Sequence, residues 1–148
     1  KFYLPQEQWF WEASWYEPGK DDFTVYQSGE AEIGFLICTE MWVMNRAVDY
    51  GQKGANIIAT PRATEQATTD KWITGGRVSA ISAGAYHISS NRSGLDQTGA
   101  FEFGGQGWIA DPDGEILGVT SGDSPFFTAD LNLAAAERAK STYPRYVF

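Results

Sequence analysis

The sequence predicts a layered α/β fold with a mostly buried sheet. Short apolar and β-branched runs alternate with stretches of helical spacing, and glycine and proline separate them. A strand–turn–strand pattern follows in the second half, so a meander closes the sheet. The chain has 148 residues, of which 43% are hydrophobic and 15% aromatic, enough for one packed domain over residues 1–148.

The first part of the chain is predicted to be an irregular, aromatic-rich segment that ends at Pro18-Gly19. Regular elements are predicted after it. These elements are a strand over 23–27 (FTVYQ), a strand over 31–38 (AEIGFLIC), a helix over 44–53 and a buried strand over 55–61 (ANIIATP). Gly54 is a plausible helix stop, and Pro61 is expected to end the last of these strands.

A second helix, capped by Thr69-Asp70, is predicted in the rest of the sequence, and further strands follow it. The expected inner face of this helix is Trp72, Ile73, Val78, Ile81 and Ala85. The later elements are a strand over 86–91 (YHISSN), a hairpin over 107–121, a strand over 126–132 (FFTADLN) and a helix over 133–140.

Charge and cysteine content exclude several functional classes. Eleven Lys and Arg against nineteen Asp and Glu give a net charge of −8, which argues against nucleic-acid and anionic-membrane partners. No apolar run approaches the roughly 20 residues of a membrane span, and no signal-peptide pattern opens the chain. One cysteine excludes an internal disulfide and fits a reducing compartment, so we expect a cytoplasmic protein. One cysteine and one histidine cannot build the usual zinc site.

Cys38 is the candidate nucleophile, because it stands at the carboxyl end of a predicted buried strand and just before a helix. The backbone N–H groups of Thr39 and Glu40 would face a developing oxyanion, and the helix start would favour a thiolate. The competing interpretation is a small buried packing residue, the commoner role of a lone cysteine. Trp42 and Tyr16 are candidates for an aromatic pocket wall.

Two further polar positions have structural interpretations. His87 lies in the middle of a predicted strand and is expected to be a hydrogen-bonded core residue. Asn91-Arg92 follow the same strand and are expected to tie the sheet edge to neighbouring loops, with pocket lining as the alternative.

A series of landmarks in order and spacing resembles the carbon–nitrogen hydrolase family, also called the nitrilase superfamily. They are 1–5 (KFYLP), 10–12 (FWE), 16–19 (YEPG), 34–40 (GFLICTE), 54–58 (GANII), Pro61, 77–85, 90–94 (SNRSG) and 108–114 (WIADPDG). The resemblance covers almost the whole chain, but it corresponds to about the second half of a typical member. It implies an αββα sandwich of which part of the N-terminal half is absent.

The resemblance also implies a Glu–Lys–Cys triad that attacks a nonpeptide amide, carbamoyl or nitrile carbon. Carried over, Cys38 is the nucleophile, Lys1 is the triad lysine, and Glu12 is an additional glutamate that holds the lysine and substrate. The general-base glutamate falls in the N-terminal half of the family, so no residue here is assigned to it. Glu40 matches an acidic position after the cysteine and is not the base. No metal and no cofactor are expected.

Departures from the family pattern bear on the substrate. Thr39 stands where members often carry Trp or Tyr, and 43–45 (VMN) replaces an aromatic-Pro-Glu segment. These differences favour an amidase or carbamoylase over a nitrilase, with a small amide-like substrate. The alternatives are a nitrilase, an inactive incomplete chain, and a binding protein that keeps the fold without turnover. Resemblance also suggests a homo-oligomer.

Overall fold

In the computed structural model, which describes residues 1–147, a six-stranded mixed sheet carries helices on one face. The helices are α1 (Glu12–Trp15), α2 (Met44–Gln52), α3 (Thr69–Ala83) and α4 (Leu133–Ala139). The strands are β1 (Tyr26–Ser28), β2 (Ala31–Phe35), β3 (Ile57–Arg62), β4 (Tyr86–Asn91), β5 (Ser93–Leu95), β6 (Glu102–Gly104), β7 (Trp108–Ala110) and β8 (Ile116–Val119). Short 3-10 turns occupy Cys38–Trp42, Gln66–Thr68 and Arg145–Val147. No helix among these residues is long and apolar enough to cross a bilayer.

The sheet order is β1-β2-β3-β4-β7-β8, and β5 and β6 form a separate hairpin. Strands β2, β3 and β4 are parallel, whereas β1, β7 and β8 pair antiparallel at the two edges. Parallel neighbours need crossover connections, and α2 and α3 supply them. The predicted α/β class is therefore confirmed. This sheet and its helical layer account for one β layer and one α layer of the αββα arrangement.

Helix α2 begins at the predicted residue and ends one residue before the predicted end. It packs with the sheet in a buried cluster of Phe23, Leu36, Ala47, Tyr50, Ala55, Ile58, Ala83 and Ala85. The amphipathic spacing of its apolar residues explains this agreement, because one face carries all the side chains that the sheet can bury.

The predicted inner face of α3 is confirmed in part. Trp72 and Ala85 are buried, although Ala85 lies beyond the helix end, and Ile73 packs against the buried cluster of Trp72 and Trp108. Ile81 is half-buried, and Val78 is exposed. The helix also packs through its small residues. A Cβ on Gly75 would meet Met41 and Trp42 at 2.8 Å, and one on Gly76 would meet the Trp108 ring at 2.6 Å. Glycine lets the backbone approach these large side chains directly, so size rather than apolar spacing determines which face turns inward.

The proposed cap of α3 is also wrong. Thr69 lies within the helix, and Thr68 takes the N-cap position without a side-chain capping bond. The Thr68 hydroxyl donates instead to the Glu65 carbonyl at 3.0 Å. Threonine often forms a local hydrogen bond of this kind. Because the Thr68 hydroxyl bonds to Glu65, it does not cap a backbone N–H at the start of α3.

The bounds of the first three strands differ from the prediction. Strand β1 is Tyr26–Ser28 instead of 23–27, and β3 begins at Ile57 instead of residue 55. Strand β2 ends at Phe35 instead of Cys38, and β3 continues through Pro61 to Arg62. The missing N–H of Pro61 costs no bond to β2, because the register between β2 and β3 ends at the Phe35–Ala59 pair. The extension carries Arg62 into the sheet.

The predicted hairpin over 107–121 is confirmed as β7 and β8, but the strand predicted over 126–132 does not form. Phe127 lies against Gly118 with its ring, so this segment covers β8 through a side chain without adding a ladder. The last helix is confirmed at Leu133–Ala139. The β5–β6 hairpin was not predicted, because its glycine-rich strands carry little β-propensity.

Candidate active site

Cys38 is the first residue of a 3-10 turn that follows β2. The chain leaves the sheet through Leu36, whose N–H donates to the Ala59 carbonyl at 3.1 Å. Cys38 then takes a φ of +54°, in the left-handed region that residues with a Cβ seldom adopt. Such strain costs about 1–2 kcal/mol and is concentrated at functional sites. The cysteine therefore lies on a sharp, strained turn after a strand that is mostly half-buried rather than buried as predicted.

The Cys38 turn forms one wall of a pocket of about 310 Å³. Its lining residues are Pro5, Glu7, Phe10, Cys38, Thr39, Trp42, Ala63, Thr64, Glu65, Thr68, Lys71 and Trp72. The rings of Trp42 and Trp72 lie 5.0 Å apart between centroids and supply an aromatic surface. A mostly apolar wall with a few polar groups is typical of small-molecule sites. The structure thus brings three predicted residues, Cys38, Thr39 and Trp42, into one concave surface.

Lys1 and Glu12 form an ion pair, with Nζ 2.7 Å from Oε2. The side chains are 11% and 27% exposed, so the pair is only partly solvated. The Gly19 N–H donates to the Lys1 carbonyl at 2.9 Å, and the Ala13 N–H donates to the Pro5 carbonyl at 3.0 Å. These bonds hold the irregular first segment against α1, which positions the lysine and its partner.

Glu40 joins this first segment to the cysteine turn. Its side chain is almost completely buried, and Oε1 accepts the Phe2 N–H at 2.5 Å while Oε2 accepts the Ile37 N–H at 2.8 Å. Bonds from N–H groups to a carboxylate are stronger than neutral ones. Glu40 lies with Lys1 on a smaller neighbouring pocket of about 270 Å³. Its observed role is to hold the backbone on both sides of the turn, and a substrate contact stays a prediction.

Tyr16 is not brought into the Cys38 pocket. The backbone becomes extended where α1 ends, and the Tyr16 side chain is 65% exposed. The sequence carries no signal for the direction of an aromatic side chain in an irregular segment, and the predicted place of Tyr16 in the pocket wall is wrong. Among residues 1–147, Trp72 supplies the aromatic surface opposite Trp42 instead.

Arg62 is the functional candidate that sequence reasoning missed. It is 6% exposed, and its Nε donates to the Ser89 hydroxyl at 3.0 Å. Its other nitrogens donate to the Thr64 hydroxyl and the Gln106 carbonyl. The guanidinium carbon lies 4.3 Å from the centroid of the Trp108 ring. One signal was available: parallel β2 and β3 end at the same sheet edge, so a charged residue at the end of β3 approaches Cys38.

Burial lowers the pKa of Arg62 to about 10, and the nearby charge of Cys38 acts in the opposite direction. The guanidinium therefore remains protonated at neutral pH. Burial, together with the charge of Arg62, also lowers the pKa of His87 to about 3. A buried positive charge and a neutral imidazole thus lie side by side in the buried layer behind the pocket wall.

His87 is the hydrogen-bonded core residue that the sequence predicts. It is fully buried, Nδ1 accepts the Trp108 indole N–H at 3.2 Å, and Nε2 lies 3.0 Å from the Thr60 hydroxyl. Because Nδ1 accepts, the ring proton is on Nε2 and donates to Thr60. His87 therefore holds the Trp108 ring in place within the buried cluster.

Asn91 ties the sheet edge to the loop after β3, as expected. Its side-chain oxygen accepts the Thr64 N–H at 2.9 Å, and its amide donates to the Thr64 carbonyl at 3.1 Å. Arg92 stacks on Phe103, with 4.3 Å between the guanidinium carbon and the ring centroid. Asn91 therefore fixes the loop that carries Thr64 and Glu65 into the pocket.

Comparison with known proteins agrees with this architecture. The carbon-nitrogen hydrolase family model matches residues 1–141. N-carbamoylputrescine amidase of Solanum tuberosum is 29% identical over an alignment of 136 residues that covers 83% of this chain and 45% of the relative. A nitrilase of Pyrococcus abyssi is 26% identical over 110 residues, 74% of this chain and 40% of the relative.

Solved structures give the same result. The crystal structure of a carbon-nitrogen hydrolase from Helicobacter pylori G27 superposes with a TM-score of 0.85 at 25% identity, over 99% of this chain and 56% of that one. The chain spans about half the length of the curated relatives it matches. The agreement extends to the whole sheet and helical layer.

Proposed function

Because this chain belongs to the carbon-nitrogen hydrolase family, we propose that it cleaves a nonpeptide carbon–nitrogen bond through an acyl-enzyme on Cys38. One observation carries the proposal: the cysteine occupies a strained turn on the wall of an aromatic pocket, beside a segment that holds the paired Lys1 and Glu12. The expected substrate is a small amide or a carbamoyl compound.

In the proposed reaction a glutamate base takes the thiol proton, and the resemblance assigns no residue of this chain to that base. The sulfur bonds to the carbonyl carbon and gives a tetrahedral oxyanion. The Lys1 ammonium and the Thr39 N–H are proposed to stabilise this oxyanion, each such donor contributing about 3–4 kcal/mol. The carbon–nitrogen bond then breaks, and the amine leaves with the proton from the base. Water hydrolyses the thioester and restores the thiol.

The proposed roles of the two carboxylates differ. Glu12 would hold the Lys1 ammonium at the position where the oxyanion forms, as its 2.7 Å contact supports. Glu40 would keep the lysine segment and the nucleophile turn at a constant separation, because its two oxygens bind one backbone N–H from each. Trp42 and Trp72 would pack against the substrate.

An amide or carbamoyl substrate is proposed over a nitrile because Thr39 lacks the aromatic ring that members of the family often carry after the cysteine. The names of the relatives include both an amidase and a nitrilase, so the nitrile remains the second candidate. A homo-oligomer and a cytoplasmic location are also part of the proposal, the latter supported by the free thiol.

The test is ammonia or amine release from simple aliphatic amides, carbamoyl amines and nitriles by the purified protein. We expect release from amides or carbamoyl compounds, and a mass increase on Cys38 that Cys38→Ala abolishes together with turnover. Lys1→Met should lower kcat by about 10²–10³-fold, since it removes one oxyanion donor.

Lys140→Met is the matched control, because Lys140 also forms a lysine–glutamate ion pair, at 2.9 Å from Glu137, but at the C-terminal end of α4. This variant should keep the parent activity. Turnover that survives Cys38→Ala would refute the nucleophile assignment. A folded protein that releases no product from any of these compounds would support the inactive or binding alternative, and release from nitriles alone would support the nitrilase.

A further inference from the structure

Arg62 is a buried cation whose charge no carboxylate neutralises. Within residues 1–147 the ion pairs involve Lys1, Arg46, Lys140 and Arg145, and none includes Arg62. The groups that accept its hydrogen bonds are two hydroxyls and a carbonyl, which satisfy its N–H groups but carry no negative charge. A buried charge normally has a counter-charge, so this arrangement calls for an anion nearby.

The nucleophile lies in the same cluster. Cys38 packs against the buried group that contains Trp72 and Trp108, and the Arg62 guanidinium stacks on both rings, at 5.7 and 4.3 Å from their centroids. Thr64, which accepts a bond from Arg62, lines the pocket together with Cys38. Arg62 therefore lies behind the pocket wall that Thr64 and Trp72 help to form, in the same buried layer as Trp108.

Among the other cations near the turn, Lys71 lines the Cys38 pocket, but the carboxylates of Glu7 and Glu65 line the same pocket and outnumber it. Lys1 is paired with Glu12 at 2.7 Å, and the combined charge of that pair is zero. His87 contacts Trp108 from the same layer, but it is neutral at physiological pH because burial lowers its pKa to about 3. Arg62 is thus the buried cation of the site that has no carboxylate partner among residues 1–147.

We propose that Arg62 is a positioning residue that holds Cys38 in its thiolate form through space, from behind the pocket wall and without touching the substrate. The inference rests on Cys38 being the nucleophile. The guanidinium of Arg62 is planar and always charged. The two tryptophan rings and the three hydrogen-bond acceptors orient this group without neutralising its charge.

The test is the pH profile of alkylation at Cys38 by iodoacetamide, followed by intact mass. This thiol is the sole cysteine of the sequence, so the reaction reports one site. In Arg62→Gln and Arg62→Met the midpoint of the profile should move up by about one pH unit. Arg62→Lys keeps the charge and should recover most of that shift. A merely structural arginine would affect thermal stability in all three variants without this pattern.

Arg92→Met is the matched control, since the Arg92 guanidinium also stacks on an aromatic ring at 4.3 Å, but on Phe103 of the separate β5–β6 hairpin. Its midpoint should equal that of the parent. An unchanged midpoint in a folded neutral Arg62 variant, or an equal shift in Arg62→Lys, would overturn the inference.

If neither neutral variant folds, the inference is tested on the parent protein, through its relative reactivity with charged and neutral alkylating reagents. A net positive charge at the thiol should raise the rate ratio of iodoacetate to iodoacetamide above the ratio for N-acetylcysteine, and a lower ratio would overturn the inference. Because alkylation needs no turnover, a positive result in a protein that releases no ammonia would refute the proposed function while leaving the role of Arg62 intact.

Discussion

His87 shows at the residue scale how burial determines a charge state. The ring is enclosed between Thr60 and Trp108, and both nitrogens have partners that suit the neutral form. Burial is the main cause that lowers its pKa to about 3 from the ordinary 6.5, and the Arg62 charge adds to it. Protonation would place a second positive charge beside Arg62 in the same layer.

This arrangement predicts a loss of stability at mildly acidic pH. The folded-state pKa lies below the unfolded-state pKa, so the unfolded chain takes up the proton first as the pH falls through 6.5. Stability should therefore fall between pH 6.5 and 3, by about 1 kcal/mol from pH 6.5 to 5.5. Urea unfolding at the two pH values measures this difference.

His87→Gln is the control for that measurement, because the sequence has one histidine. The variant should be less stable at both pH values but should lose the difference between them. A parent whose unfolding free energy is the same at pH 6.5 and 5.5 would contradict the assignment of a neutral buried ring.

The sequence allowed some residues of the site to be predicted and not others. Cys38 was identifiable because an apolar run ends at it, and the core role of His87 followed from its position inside a strand. The positive φ of Cys38 and the approach of Arg62 were not predictable, since both depend on how β2 and β3 end relative to each other. The prediction for Tyr16 was wrong for the same reason, because tertiary contacts determine the direction of its side chain.

At the scale of elements, α2 and α3 pack by different rules. Apolar spacing located α2 to within one residue of its end. In α3 the same reasoning selected Val78, which is exposed, because the helix lies on Trp108 and Trp42 through Gly75 and Gly76. Hydrophobic periodicity predicts a buried face only where large apolar side chains are buried. In α3 the buried face includes glycines, which leave space for the tryptophan rings.

Gly76→Ala should therefore destabilise the protein despite alanine's better helix propensity. The added Cβ would lie 2.6–2.8 Å from three atoms of the buried Trp108 ring. Overpacking costs about 1–3 kcal/mol and the propensity gain is about 1 kcal/mol, so we expect a net loss of about 1 kcal/mol by urea unfolding.

Val78→Ala in the same helix is the control, because it trims an exposed side chain and should change stability by less than about 0.5 kcal/mol. If Gly76→Ala equals or exceeds the stability of the parent, close packing of α3 on Trp108 is not a constraint.

For the whole molecule, the face of the sheet opposite the helices is the dominant feature. A row of paired positions crosses four strands there: Phe35 on β2, Ala59 on β3, Ile88 on β4 and Ile109 on β7. Phe35 is 42% exposed, and these residues line a groove of about 420 Å³ together with Phe126. Contiguous apolar surface of this kind favours association.

We accordingly expect the 148-residue chain to self-associate at micromolar concentration, as sedimentation velocity would show. Phe35→Lys should shift it towards monomer, because a charge in the apolar row must be desolvated when two faces meet. The control is Leu95→Lys, which changes an exposed leucine on the separate hairpin and should leave the association unchanged. A monomeric parent, or equal association of Phe35→Lys, would contradict this expectation.

Glu40 has one consequence for how the site can fail. Detaching the first residues of the chain would remove the Phe2 N–H from a buried carboxylate that also accepts the Ile37 N–H, immediately before Cys38. The first segment and the cysteine turn therefore share one anchoring carboxylate, in addition to the contacts of Lys1 with Glu12 and Gly19. We expect loss of this carboxylate to displace both the proposed ammonium and the proposed nucleophile.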